Sequence, residues 1–132
     1  MGVEESYISP PSDPAYLCDY FHIYSIDVEP DGNLLVSARN TWTVYRVDRK
    51  SGEVLWRLGG KRSNFEMGEG ARTAFQHEAR RHEDGTITVF DNGAGPKVHD
   101  QSRAIVIELD EEQMGATLLH EYTSPEKLIC TS

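Results

Sequence analysis

The feature that most constrains this chain is a succession of short alternating runs separated by turn residues. The first two runs are HIYSIDV and LLVSAR, with the Asp-Gly pair of EPDGN between them. Two more runs, TVYRVDR and VLWRLGG, lie on either side of KSGE. Alternation of this kind indicates half-buried strands, and Asp-Gly between two such runs is a strong hairpin signal. The pattern predicts antiparallel hairpins and an all-β fold.

The second half of the chain repeats this plan. Asp84-Gly85 follows Asp31-Gly32 by 53 residues, and His77 follows His22 by 55 residues. The run RAIVIELD then corresponds to TVYRVDR, and ATLLHEY corresponds to EVLWRLG. Two four-stranded units of about 50 residues each are the signature of β-propeller blades.

The repeat divides the chain into four segments. Residues 1–18 are irregular and rich in proline, 19–60 form the first blade, 61–74 an inter-blade loop, and 75–132 the second blade. A propeller closes its ring with about four to eight blades. Two blades therefore predict a fragment or truncated product, completed by missing blades or by self-association. The alternative architecture is a compact two-sheet sandwich of about eight strands.

Composition excludes some classes of partner and leaves others open. The 132 residues carry a net charge of −9, which argues against a nucleic-acid partner because phosphate binding needs a basic face. No window approaches the roughly 18 apolar residues of a membrane span. The N-terminus shows no signal-peptide pattern, and the compartment stays open. The two cysteines, Cys18 and Cys130, have no metal-binding spacing, and both a disulfide between them and two free thiols stay open.

The stretch HEARRH contains two histidines and invites comparison with a zinc protease. That motif needs histidines at i and i+4 on one helical face, whereas His77 and His82 are five residues apart. This spacing separates them by about 140° on a helix, and Gly85 follows at once. His82 is predicted to be an exposed turn residue. Arg80, three residues after His77, is predicted to face the opposite side of the strand and to stabilise the blade.

Several motifs occur together in a recognisable order. They are FHIYSID, DGNLLVSARNT, DRKSGEVLWRLGGKRS, FQHEAR and FDNG. In this order and spacing the sequence resembles the arylsulfotransferase (arylsulfate sulfotransferase) family, in the branch found in actinobacteria and fungi. The resemblance is strong over residues 19–93 and weaker to residue 132. It implies a six-bladed propeller of which this chain carries about two blades. The resemblance is also compatible with a secreted or cell-envelope location.

The resemblance also implies a reaction and its site residues. Such proteins transfer a sulfuryl group from a phenolic sulfate ester to a phenol through a sulfo-histidine. By motif position, His77 is the nucleophile, His22 the second site histidine and Arg39 the sulfate-binding arginine. The family usually has FHINS, so Tyr24 replaces an asparagine in the substrate-binding region. Asn92, in the position that corresponds to Arg39 or Asn40, is a further substrate-binding candidate.

The residue types suit this chemistry on physical grounds. Imidazole is a competent nucleophile near neutral pH, and a guanidinium matches the planar arrangement of several oxygens. A second histidine can protonate the leaving phenolate and deprotonate the acceptor phenol. We expect neither a metal nor a cofactor, because a sulfate monoester carries a single negative charge. The alternative is a non-catalytic binding or scaffold module that has lost activity, because of Tyr24 and the missing blades.

Overall fold

The chain is built of strands throughout the part that can be described. A computed structural model describes residues 1–9, 19–93 and 98–126, which form nine β-strands and one short 3-10 helix, Val3–Glu5. The predicted all-β fold class is confirmed. Both cysteines lie outside the described residues.

The first four strands form one antiparallel sheet in sequential order. Each predicted run becomes a strand, and the turn residues between the runs form the connections. The strands are β1 Ile23–Val28, β2 Leu34–Ala38, β3 Thr43–Val47 and β4 Val54–Leu58.

The second sheet has five strands in the order β5-β9-β8-β7-β6. Its strands are β5 Glu66–Met67, β6 His77–Arg81, β7 Ile87–Asp91, β8 Arg103–Asp110 and β9 Gly115–Thr123. Strand β5 falls within residues 61–74, which the sequence predicts to be a loop, and it pairs in parallel with β9. The polar, glycine-rich composition of residues 61–74 shows no strand pattern. Phe65, which precedes β5, is nevertheless only 3% exposed and belongs to the core.

The two Asp-Gly turns are constructed alike. Gly32 has φ of 87° and Gly85 has φ of 86°, a conformation that side chains rarely adopt. In each turn the aspartate Oδ1 accepts a hydrogen bond of 2.9 Å from the backbone N–H two residues later. The turns therefore fix both hairpins by the same local interactions.

One apolar core joins the two sheets. The first sheet contributes Leu35, Val44, Trp56 and Leu58, and the second contributes Ala79, Ile87, Val89, Ile105 and Ile107. Among the described strands, β1 and β2 approach β6 most closely between the sheets. This contact sets the beginning of β1 beside the beginning of β6.

The N-terminal segment packs over the opposite face of the first sheet. The carboxylate of Glu5, which is 1% exposed, accepts hydrogen bonds from Arg57 Nε at 2.7 Å, the Gly2 N–H at 2.7 Å and the Tyr45 hydroxyl at 3.3 Å. Burial alone would raise the pKa of Glu5, but the hydrogen bonds from Arg57 and Gly2 lower it to about 2. The segment is thus held by a buried, ionised carboxylate.

We expect Glu5→Gln to remove a component of acid sensitivity. The pKa of Glu5 falls on folding from 4.5 to about 2, so its stabilisation is complete above pH 4.5 and is lost as the pH falls towards 2. This component amounts to about 3 kcal/mol. Urea unfolding at several pH values should show a shallower loss for Glu5→Gln than for the wild type. The control is Glu4→Gln, whose exposed carboxylate pairs with Arg62 at 3.2 Å, and a wild-type slope in Glu5→Gln would contradict the assignment.

Candidate functional site

His77 is the first residue of β6, and a β-bulge after it changes the face of the strand on which Arg80 lies. His77 pairs with Phe90 of β7, whereas Arg80 pairs with Thr88, and the register shifts between the two pairs. Phe90 and Thr88 are two residues apart, so they lie on one face. The prediction that His77 and Arg80 face opposite sides is therefore wrong, because the bulge adds a residue to the strand.

Arg80 nevertheless contacts the neighbouring sheet. Its Nη1 lies 3.6 Å from Asp27 Oδ1 of β1, and its Nη2 lies 3.2 Å from Glu78 Oε2. The Arg80 side chain is 58% exposed, so these ion pairs are individually weak. They agree with the predicted stabilising role.

His22 immediately precedes β1, whereas His77 is the first residue of β6. Ser25 of β1 pairs with Ser37 of β2, and His77 of β6 pairs with Phe90 of β7. Phe90 lies 53 residues after Ser37, which is the spacing between the two Asp-Gly turns. By this register His77 corresponds to Ser25. The prediction that His22 and His77 occupy equivalent positions is wrong, because the histidines are 55 residues apart whereas the Asp-Gly turns repeat after 53, and because the bulges in β1 and β6 are placed differently.

Tyr24 lies between the two histidines. Its ring centroid is 5.0 Å from that of His22 and 5.3 Å from that of His77, in both cases with the rings nearly perpendicular. The two imidazoles can be no further apart than the sum of these distances. A second contact, 4.9 Å between the centroids of His77 and Phe90, extends the row into the second sheet. Both predicted histidines therefore contact the same phenol ring.

His22 has a carboxylate partner that sequence reasoning missed. The Nδ1 atom of His22 is in hydrogen-bond contact with Oδ2 of Asp19. A carboxylate at Nδ1 orients the ring and leaves Nε2 directed elsewhere. Asp19 is three residues before His22 in a segment without a strand pattern, so no pattern in the sequence indicates its role.

Arg39 follows β2 and reaches towards the start of β6. Its backbone N–H donates to the carbonyl of His22 at 2.8 Å, and its Nη1 donates to Asn40 Oδ1 at 3.0 Å. The guanidinium carbon lies 4.8 Å from the ring centroid of Phe75, two residues before His77. The arginine predicted to bind sulfate is thus tied to the segments that carry both histidines.

Gln76 is a buried residue that positions this end of the two sheets, and it is not among the predicted site residues. Its Nε2 donates to the carbonyls of Ala38 and Thr43, each at 3.1 Å, at the two ends of the connection between β2 and β3. The Ser37 hydroxyl donates to the Gln76 carbonyl at 3.2 Å. The only signal in the sequence is a polar residue enclosed between Phe75 and His77.

Backbone strain is concentrated in the same region. Five non-glycine residues in the described part of the chain have positive φ, and four of them lie here, with φ of 51–56°. They are His22, Trp42, Phe75 and Glu78. Such conformations cost about 1–3 kcal/mol each and tend to cluster at functional sites. Strain therefore marks this end of the sheets independently of any motif.

Asn92 occupies a different environment from the other predicted site residues. Its side chain is fully buried after the end of β7, and its carbonyl accepts a hydrogen bond of 2.8 Å from the Ser102 hydroxyl. A ligand would reach Asn92 only after a rearrangement of its surroundings. Among the described ranges, no three histidine, cysteine or acidic residues converge as a metal site, and no helix has the length and hydropathy needed to cross a membrane.

Comparison with known families gives this site its context. The model of a family described as Arylsulfotransferase (ASST) matches residues 11–132. The chain belongs to the arylsulfotransferase family. A search of curated proteins finds no match. Membership implies sulfotransferase-type function and phenolic substrates in general, and a propeller-type fold agrees with the four-stranded antiparallel sheet.

Proposed function

We propose that this arylsulfotransferase-family chain transfers a sulfuryl group from a phenolic sulfate ester to a phenol through a sulfo-histidine at His77. The observation that carries the proposal is the family match over residues 11–132. The ring contacts of Tyr24 with His22 and with His77 support it, because they bring a nucleophile and an acid–base group to one place. As about two blades of a larger propeller, the chain alone is expected to have low activity.

In the first step, an imidazole nitrogen of His77 attacks the sulfur of the donor. The nitrogen–sulfur bond forms as the bond between sulfur and the aryl oxygen breaks, with negative charge spread over the remaining sulfate oxygens. Arg39 supplies a planar cation for these oxygens. His22, protonated and paired with Asp19, gives its proton to the leaving phenolate.

The second step reverses these roles. An acceptor phenol gives its proton to the neutral His22, and its oxygen attacks the sulfur of sulfo-His77. The new bond between oxygen and sulfur forms as the nitrogen–sulfur bond breaks, which restores the imidazole of His77. One histidine therefore serves as acid and then as base, and the other as nucleophile.

A second function is favoured by Tyr24. Its ring, about 5 Å from both imidazole rings, occupies the space between the two histidines that a sulfuryl group would enter. A chain blocked in this way would be a binding or scaffold module without catalysis. Tyr24→Asn opens this space and restores the residue that the family usually has there.

The experiment compares the wild type with Tyr24→Asn during exposure to p-nitrophenyl sulfate. We expect a sulfo group on the peptide that contains His77, located by mass spectrometry, and a faster release of p-nitrophenolate from Tyr24→Asn. Tyr122→Asn is the matched control, since Tyr122 is 62% exposed and lies on β9, which β8 and β7 separate from the strand of His77. Absence of any adduct on His77 in both the wild type and Tyr24→Asn would contradict catalysis and support the scaffold function.

A further inference from the structure

A partly open cavity of about 220 Å³ lies beside the candidate site but is lined by different residues. Its walls are Tyr7, Trp42, Gly60, Met67, Arg72, Thr73, Val98 and His99. Neither His22 nor His77 belongs to the lining. The volume is sufficient for a single aromatic ring, since a cavity of roughly 150 Å³ takes up benzene.

Aromatic rings form the apolar part of this cavity. Tyr7 stacks on Trp42 with a centroid distance of 3.6 Å and an interplanar angle of 6°, and the edge of Phe75 lies 5.2 Å from Trp42. Trp42 is held in this position with φ of 53°. A flat aromatic ligand could therefore contact rigid aromatic surfaces and the thioether of Met67.

The polar groups of the cavity favour a negative charge. Arg72 is exposed, and no carboxylate among the described residues forms an ion pair with it. Burial raises the pKa of Tyr7 while the charge of Arg72 acts in the opposite direction, and both residues line the cavity. Arg72 is therefore a cation at the wall of the cavity without a carboxylate partner in the described part of the chain.

Two buried nitrogen atoms of the lining lack hydrogen-bond partners among the described residues. They are Trp42 Nε1 and His99 Nε2. His99 Nε2 lies 3.5 Å from Asp91 Oδ2, which is within range of an ion pair but does not meet hydrogen-bond geometry. Both nitrogen atoms are closed off from solvent and from the open part of the cavity, so a ligand would reach them only after a shift of the lining. Asp91 itself is neutralised by Arg103 Nε at 2.9 Å and offers little repulsion to an anion.

We infer that this cavity binds a small single-ring aromatic anion, with the ring among Tyr7, Trp42 and Met67 and the anionic group at Arg72. The inference does not rest on the proposed sulfuryl transfer, because ligand binding at this cavity requires no turnover and no contact with His77.

The test is calorimetric titration of the 132-residue chain with benzenesulfonate, which combines a ring with a negative charge. We expect saturable binding that is at least about tenfold tighter than that of inorganic sulfate or of benzyl alcohol, which lack the ring and the charge respectively. Equal affinity for sulfate and for benzenesulfonate would overturn the inference that the cavity binds an aromatic ring. Equal affinity for benzyl alcohol would overturn the anionic part, and no saturable binding would overturn both.

Variants place the ligand in the cavity. Arg72→Gln should weaken benzenesulfonate binding about tenfold or more, and Trp42→Leu, which removes the aromatic surface, should weaken it severalfold. Arg49→Gln removes an exposed arginine at a different turn and should leave binding unchanged. A loss in Arg49→Gln equal to that in Arg72→Gln would contradict a specific site. His77→Gln should bind benzenesulfonate as the wild type does, so the binding test remains valid even if the proposed catalysis fails.

Discussion

Gln76→Ala is expected to lower the free energy of unfolding by about 3 kcal/mol or more. The side chain is 0% exposed, and its amide donates to two carbonyls of the first sheet, each at 3.1 Å. Its Oε1 also accepts a hydrogen bond of 3.2 Å from the Thr73 hydroxyl. Alanine would leave these buried groups without partners and would add a cavity. Urea unfolding followed by tryptophan fluorescence measures the change.

Two further substitutions separate hydrogen bonding from packing at this position. Gln76→Met keeps much of the side-chain volume but removes both donors, so we expect it to be destabilised nearly as much as Gln76→Ala. Gln113→Ala, at an exposed turn, should change stability by less than about 0.5 kcal/mol. Wild-type stability of Gln76→Met would show that the amide contributes through its volume alone.

The strands and turns were predictable because local interactions determine them. Alternating side chains give the strands their two faces, and the aspartate of each Asp-Gly turn binds the backbone two residues later. The parallel strand Glu66–Met67 was not predictable, because its pairing with β9 joins segments that are distant in sequence. A two-residue strand also has too few side chains to show alternation.

The candidate site was only partly predictable, for a different physical reason. The motifs identified His22, His77 and Arg39, and the structure brings the segments that carry them together. The orientation of Arg80 was mispredicted because a β-bulge inserts one residue and reverses the alternation beyond it. Gln76 was missed because its partners on β2 and β3 are about 35 residues away and become visible only when the two sheets are packed.

His77→Gln is expected to abolish the covalent sulfo adduct and to lower p-nitrophenolate release from p-nitrophenyl sulfate by about a thousandfold or more. Glutamine retains a polar side chain of similar reach, but its amide nitrogen has no basic lone pair with which to attack sulfur. The His77 ring contacts the rings of Tyr24 and Phe90 at 5.3 and 4.9 Å, so the variant should lose only about 1 kcal/mol of stability. An effect on chemistry without a matching effect on folding would identify a nucleophile.

The matched control for this variant is His120→Gln. His120 is an exposed residue of β9, paired opposite Val106, and it lies on the same sheet without contact to Tyr24 or His22. If His77 is the nucleophile, His120→Gln retains the adduct and the rate, whereas His22→Gln still forms the adduct but does so more slowly. The reverse pattern, with the adduct retained in His77→Gln and lost in His22→Gln, would transfer the nucleophilic role to His22. Because Asp19 already engages Nδ1 of His22, that outcome would require attack by Nε2, which double replacement with Asp19→Asn would test through the change in rate.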